Sequence, residues 1–322
     1  MKYVTPLAIA GLLLASCAST PKVEEPLAPI RVAGARWIEL SPVVVAANSF
    51  YPQKLEVPSG GVVSITRGDA DLATNAETQL LRESVNNPDL RIIATVSESF
   101  YRLVARRSAG IGKLTDLKGK RVLVPRLTSA QYYLVAMLKS AGLKEEDVTL
   151  VSLPAAVPGQ PAAKFRYAEA LVSGDTDVIA IFEPEPAEAV RQLGDDAIVL
   201  QDRKVYREAF NLHARATDLA DPARRRAIVR FVRAMSDATQ ALKKDPKPYL
   251  DHVSSVIGFS VEQIRWGWPE TEFPVKIIPD MLDVLVTEEA WVAKASNRAP
   301  RPREELAKFI DRSIVEEALA LR

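Results

Sequence analysis

Short apolar runs recur along the first two thirds of this chain, and most are followed by a helix-length segment. They fall at Ile30–Gly34, Asp71–Ala73, Arg91–Val96 and Tyr101–Ala105, then at Arg121–Val124, Val148–Ser152, Val178–Phe182 and Ala197–Leu200. The runs are continuously apolar rather than alternating, which suits strands covered on both faces. A further short strand is read at Leu55–Val57. Ser41-Pro42 reads as a helix start, with serine capping and proline in the first turn. Thr74-Asn75-Ala76-Glu77 reads as a capping box opening a helix to about Asn86. Helices over Thr128–Ala141, Ala163–Ser173 and Pro184–Leu193 each end at a glycine: Gly142, Gly174 and Gly194. Strand and helix in alternation imply mainly parallel sheets flanked by helices.

The pattern runs twice. Gly68-Asp69-Ala70-Asp71 is echoed by Gly174-Asp175-Thr176-Asp177, in each case a glycine, an acidic turn and then a strand. Two halves built on one plan would produce the echo. After Leu200 the chain turns helical. Pro222–Lys244 places Ile228, Phe231, Val232, Met235 and Ala238 at helical spacing. Its basic run, Arg224-Arg225-Arg226 with Arg230 and Arg233, reads as a solvated face before it reads as a phosphate site. Ser260-Val261-Glu262-Gln263 is a second capping box, and Pro279–Ala295 and Arg303–Leu319 complete the helices. Trp266 and Trp268 read as packing residues or as a lid.

The N-terminus reads as an export signal. Lys2 precedes the apolar run Val4–Leu14, which is too short to span a bilayer. The boundary Leu14-Ala15-Ser16-Cys17 resembles the lipobox of bacterial lipoproteins, in which the cysteine is lipidated. Cys17 is the one cysteine in the chain, so disulfides and cysteine-based metal sites or nucleophiles are excluded from the rest. Residues 1–17 are thus read as the signal and 18–29, with three prolines, as a tether. Ala18 in place of aspartate implies, by the sorting rule of such lipoproteins, the periplasmic side of a bacterial envelope with the outer membrane possible. Lysine plus arginine number 42 against 41 acidic residues, so no strong field invites nucleic acid. His213 and His252 stand in unlike contexts, no Gly-x-Ser-x-Gly elbow occurs, and Gly119-Lys120 lacks the upstream glycine of a phosphate loop. No catalytic residue, metal site or cofactor is expected, and the chain is read as a non-enzyme.

Ser108-Ala109-Gly110-Ile111 followed by Leu114-Thr115-Asp116-Leu117-Lys118-Gly119-Lys120-Arg121-Val122 resembles the signature of one family of binding proteins. Gly142-Leu143, Asp147-Val148, Gly174-Asp175-Thr176-Asp177 and Glu183-Pro184 extend the resemblance over roughly residues 60 to 240. That family serves ABC importers of nitrate, sulfonates, taurine and thiamine-pyrimidine precursors. The resemblance implies the α/β, two-lobed type II periplasmic binding protein fold, with a two-segment hinge. Lobe I would hold residues 30–103 and 212–322, and lobe II residues 104–211. The chain would cross near Arg102–Arg106 and return near Asn211–Arg215. A small-molecule ligand, partly anionic, would be caught between the lobes and delivered by a lipid-anchored monomer to an ABC permease and ATPase. The alternative is a ligand-binding lipoprotein serving a sensor or an envelope complex.

In open α/β sheets ligands bind beyond the carboxyl ends of the strands. Those ends nominate Trp37, Glu39, Asn75 and Ser97 in lobe I, and Arg126, Thr128, Ser129 and Glu183 in lobe II. Trp37 offers a stacking surface. Thr74 reads as a cap and Asn75 as the contact. The helix start at Thr128 offers unpaired N–H groups and hydroxyls to an anion, with Arg126 as a charge partner. Glu183 has two readings, a cleft residue favouring a cationic or hydroxylated group and a cap on the following helix.

Overall fold

The computed structural model describes residues 26–153 and 166–321. Cys17, the export signal and most of the tether lie outside the described residues. Five strands form each of two sheets. In chain order the strands are β1 (Val32–Gly34), β2 (Leu72–Ala76), β3 (Leu90–Ser99), β4 (Leu103–Arg106) and β5 (Arg121–Leu123). They continue with β6 (Thr149–Val151), β7 (Val178–Ala180), β8 (Ala197–Leu200), β9 (Glu208–Arg215) and β10 (Thr271–Glu272). The first sheet runs β1-β2-β9-β3-β10 and the second β6-β5-β7-β4-β8.

Residue alternation shows why the second sheet is covered on both faces. Leu103, Ala105, Val122, Val124, Val178 and Ala180 point to one core, with Tyr133, Leu134, Met137 and Leu138 of the helix Ser129–Ser140. Val104, Leu123, Ile179 and Ile181 point to the other, with Ala168, Leu171 and Ala189 of two further helices. Period-2 geometry sends neighbours to opposite faces, so a strand buried on both reads as an unbroken apolar run. In the first lobe the helix Pro222–Lys244 buries Ile228, Phe231, Val232, Met235 and Ala238, and Asp221 caps it by accepting from Ala223 and Arg224 N–H.

The sheets are mixed rather than mainly parallel. β1 and β2 pair in parallel, as do β6, β5 and β7, but β9 is antiparallel to both its neighbours and so is β4. β4 and β9 are the strands that follow the two crossings between lobes; the short edge strand β10, antiparallel to β3, follows none. The crossings are residues 100–102 and 201–207, because β4 starts at Leu103 and β9 at Glu208. The segment 211–215, expected to carry the return, falls within β9. The crossings lie side by side: Gln201 donates to the Phe100 carbonyl and to Glu270, and Arg203 pairs with Glu270 while covering the Phe100 ring.

The echo between the two halves is structural. Gly68 and Gly174 both have positive φ, at 79° and 86°. Asp71 accepts from the Arg31 backbone N–H and side chain, and Asp177 does the same from Arg121. The same arginines reach the Gly68 and Gly174 carbonyls. Arg215 at the end of β9 and Arg106 at the end of β4 complete the match, one beside each aspartate. The last-turn glycine, the acidic strand start and the arginine of the neighbouring strand form one clasp, used twice. Burial alone would push Asp71 up, but the Arg31 hydrogen bonds and the Arg224 charge hold it below the usual carboxylate range.

Local signals were overridden where tertiary pairing competed. The Thr74–Glu77 box does not form, because β2 continues through Ala76, paired with β9 at Phe210, and the helix begins at Glu77. The Ser260–Gln263 box does form, with both reciprocal bonds. The first helix starts in a 3-10 turn at Ile38, ahead of Ser41, whose hydroxyl donates to the Ile38 carbonyl instead of capping. Leu55–Val57 is not a strand; that edge is reduced to one bridge, Ser59 beside Gly34. The helix expected over Arg303–Leu319 is two, Arg303–Ala307 and Ser313–Ala320, because the segment between them bridges to Ile92 on β3. The arginine run is held by carboxylates: Arg224 by Asp71 and Asp218, Arg225 by Glu317 and Arg233 by Asp237.

Candidate functional site

A cavity of about 190 Å³ lies where the lobes meet. Lobe I supplies Ala35, Trp37 and Glu39 after β1, Asn75 and Ala76 at the end of β2, Gln79 on the next helix, and Glu208 and Phe210 on β9. Lobe II supplies Thr128 and Ser129 after β5, and Phe182 after β7. These are carboxyl ends of strands, as the strand-end rule expects. β9 is the exception in direction only. Being antiparallel, it brings its first residues, Glu208 and Phe210, to the same end of the sheet, with Phe210 opposite Ala76 and Ser97, and Glu208 opposite Ser99.

Two buried carboxyls define the chemistry of this cavity. Glu39 sits in the 3-10 turn Ile38–Leu40, where one oxygen accepts from Ser99 Oγ at 3.0 Å and the other, Oε2, has no partner. Glu208 accepts from Ser129 Oγ at 3.0 Å, and its Oε2 also has no partner. Ser129 in turn shares a 3.1 Å hydrogen bond with the Tyr101 hydroxyl. The Ser129–Glu208 bond joins lobe II to lobe I. Burial, with the nearby Glu183 charge adding to it, pushes the Glu39 carboxyl up to about 7 against its backbone and Ser99 hydrogen bonds. Burial also pushes Glu208 well above the usual carboxylate range, with Glu39 and Glu77 adding to the shift.

The acidic network continues behind the cavity. Glu77 accepts from the Tyr206 hydroxyl at 2.6 Å and from Ala209 N–H at 2.9 Å. It shares a further hydrogen bond with Glu288, whose carboxyl is pushed well up by burial and by the Glu77 charge. Aromatic rings fill the gaps: Trp37 stands edge-on to Phe182 at 5.0 Å and stacks with Phe259 at 5.8 Å, and Tyr101 meets Phe182, Tyr133 and Tyr206.

Of the residues nominated from the sequence, Trp37, Glu39, Asn75, Thr128 and Ser129 come together on the cavity wall. Ser97 lies in β3, fully buried, with its hydroxyl unpartnered and away from the lining set. Arg126 is exposed and outside it. The hydroxyls expected of the helix start are engaged elsewhere: the Thr128 hydroxyl donates to the Pro125 carbonyl and the Ser129 hydroxyl to the Glu208 carboxyl, while the Leu127 N–H just ahead of the helix donates to Gln131 Oε1. Glu183 accepts from Arg102 Nε at 2.6 Å and from Ala187 N–H at 3.3 Å, so it caps its helix and pairs with the first crossing at once. Trp268 packs on Phe273, and Trp266 lies under Arg191 of lobe II. The sequence reading missed Glu208, Phe182, Phe210 and Gln79. Glu208 was legible only to a reader who began the return strand at the acid preceding Ala209-Phe210.

The fold and an interlobe cavity define a two-lobed α/β protein of the periplasmic binding protein type. The NMT1/THI5-like family model matches residues 55–248, more than half of the chain, and the chain belongs to that family. A comparison with curated protein sequences finds no match. Among solved structures, the chain is similar to the periplasmic aliphatic sulphonate binding protein SsuA from Escherichia coli, with a TM-score of 0.69 and 16% identity over 89% of this chain and 98% of that one. It is similar to the alkanesulfonate-binding protein SsuA from Xanthomonas axonopodis pv. citri bound to MOPS, with a TM-score of 0.65 and 15% identity over 88% and 98%. It is also similar to the desulfurization enzyme DSZB, with a TM-score of 0.62 and 17% identity over 90% and 99%. At these identities the likeness is one of fold, and that fold serves a binding protein and an enzyme alike. Among the described residues no helix is long and apolar enough to cross a membrane.

Glu39 gives the site a pH signature. Below a pH of about 4.5 the carboxyl is protonated in both folded and unfolded chains and costs nothing. As pH rises towards 7 the unfolded chain ionises first, so stability is lost, by roughly 3 kcal/mol at most. Glu39→Gln keeps the Ser99 hydrogen bond and removes the titration. Urea unfolding at pH 5 and pH 8 should show the parent losing about 2–3 kcal/mol relative to the variant over that interval. Parallel behaviour at the two pH values would show that Glu39 is not held neutral by burial.

Proposed function

We propose that this protein is an extracytoplasmic solute-binding lipoprotein that holds a small organic molecule between its lobes and delivers it to an ABC importer. The reading rests first on the cavity, whose wall is built from both lobes and is bridged by the Ser129–Glu208 hydrogen bond. A site shared in this way is completed only when the lobes are together, which couples occupancy to closure. Family membership and the sulfonate-binding structural neighbours support the importer role. A capture role is favoured over catalysis because the single cysteine lies at position 17 and His213 is buried in β9 against the Ala73 carbonyl. The lobes are assigned as 26–99 with 208–321, and 103–200, each crossing being a short segment between strands. The protein acts as a monomer, and the anchor is Cys17, at the end of the apolar N-terminal run.

Closure has a steric test. A Cβ on Gly267 would lie 2.6 Å from Ile38 Cδ1 and 2.7 Å from Glu183 Cβ, so this lobe I glycine lets lobe II come close. A thermal-shift screen over sulfonates, aromatic acids, pyrimidines and amines should find a ligand. At a hundred times its dissociation constant it stabilises the fold by roughly 2.7 kcal/mol. That ligand should shrink the X-ray scattering radius of the parent, and Gly267→Ala should bind it at least tenfold more weakly with a larger radius. No ligand and no closure across the screen would remove solute capture. For the anchor, Cys17→Ser should move the protein from the membrane fraction to the soluble fraction. A variant that still sediments with membranes would contradict lipidation.

A further inference from the structure

The interlobe cavity has an unusual charge for a fold whose solved relatives include sulfonate binders. Its lining contains two carboxyls, two carboxamides and no basic side chain. The arginines of the two crossings are committed elsewhere: Arg102 to Glu183, Arg203 to Glu270, and Arg207 to Glu98 and Asp280. Glu39 and Glu208 are 2% and 3% exposed, and each keeps one oxygen, Oε2, with no hydrogen-bond partner. Buried polar atoms are nearly always paired, and leaving one unpaired costs about 1–3 kcal/mol. Other buried side-chain atoms among the described residues also lack a partner, but these two are set apart because both belong to carboxyls that line the one small cavity. They come from separate elements, the turn after β1 and the start of β9, so no single local accident of packing explains both.

We infer that the cavity takes a small organic cation bearing N–H donors, an ammonium, guanidinium or amidinium group held between Glu39 and Glu208. This rests on the reading of the cavity as the solute site. The free oxygens accept charge-assisted hydrogen bonds, which are the strong kind. Trp37, Phe182 and Phe210 supply aromatic walls, on which a cation is favoured over an anion because the ring faces are negative. Asn75 and Gln79 add amide groups for a polar second end. The volume, about 190 Å³, falls below the roughly 300–1,000 Å³ of sites for drug-sized molecules, so the ligand is compact. An anion at the same place would meet two carboxyls with no counter-charge, and the Ser129 hydroxyl that would have served it is committed to Glu208. The ligand charge inferred here is opposite to that suggested by the bare helix start.

The carboxyls that face the ligand are themselves faced by Ser99 and Glu183 on the Glu39 side, and by Ser129, Tyr101 and Glu77 on the Glu208 side. None of these is a cation, so the charge needed to ionise the pair comes with the ligand.

The test uses matched probes with the full chain. Methylammonium, agmatine, guanidinium, benzamidinium and 2-aminopyridinium are titrated by calorimetry, with benzamide and benzenesulfonate as neutral and anionic shape controls for benzamidinium. At least one cation should bind, and Glu39→Gln and Glu208→Gln should each weaken it at least tenfold while leaving the unliganded melting temperature unchanged or higher. If benzamidinium binds, it should do so at least tenfold more tightly than benzamide. Ser129→Ala, which keeps both carboxyls, should bind the same cation with a smaller loss. Binding of benzenesulfonate in preference to the cations would overturn the inferred charge and leave solute capture standing. Failure of every cation to bind, or equal cation binding by both glutamine variants, would overturn the inference. A failure of solute capture itself is read separately, from the absence of closure with any ligand.

Discussion

The hydrogen bond from Ser129 to Glu208 is the contact on which the arrangement of this molecule turns. It brings a helix start of one lobe against the first residue of a strand in the other, and both side chains are buried. A buried carboxyl is costly, and the cost falls if the group keeps its proton and has a hydrogen-bond partner. Glu208 has Ser129 for one oxygen. Glu39 has Ser99 for one oxygen. Behind them Glu77 accepts from the Tyr206 hydroxyl and the Ala209 N–H, and burial pushes both Glu77 and Glu288 upward. The acidic centre is therefore tolerable only as a connected network, and the network spans the lobe junction.

The placement of that network follows from topology. Each sheet receives one antiparallel strand directly after a crossing, and such a strand begins at the end of the sheet where parallel strands finish. β9 thereby carries its first residue, Glu208, to the ligand face, directly after the crossing 201–207. Hinge and site are close for the same reason, and movement at the crossings repositions Glu208 relative to Ser129. Far from this face, the paired clasps Arg31–Asp71 and Arg121–Asp177 close the opposite ends of the two sheets in the same manner. The two lobes are one plan used twice, with the acidic residues of the site added to lobe I.

Much of the fold was legible in the sequence because strands buried on two faces leave unbroken apolar runs. Val122–Val124 and Val178–Ile181 were readable for that reason, and so was the long helix with Phe231 and Met235 on its inner face. Signals that depend on a few residues were less secure. Ser260–Gln263 and Thr74–Glu77 look alike as capping boxes, but only the first lies outside a sheet. The second was absorbed by β2 because β1 and β9 both offered it partners. The candidate site was half legible. Strand ends pointed to Trp37, Glu39, Asn75, Thr128 and Ser129, since parallel strands announce their carboxyl ends in sequence. Glu208 escaped because an antiparallel strand contributes its beginning, and nothing local marks an acid before an apolar run as a site residue. Arg126 was nominated for its charge, and its exposure removes it from the cavity wall.

The central claim is that the carboxyls at the lobe junction hold their protons more tightly than free carboxyls until a cation arrives. Ligand binding should then expel protons from Glu39 and Glu208, the groups already surrounded by Glu183, Glu77 and Tyr101 and by no free cation on the cavity wall. The most direct measurement is calorimetry of the tightest-binding small cation at pH 7 in two buffers of different ionisation heat. The account requires a net release of protons into the buffer, diminished in Glu208→Gln. Binding with no change in protonation, or with protons taken up, would contradict it.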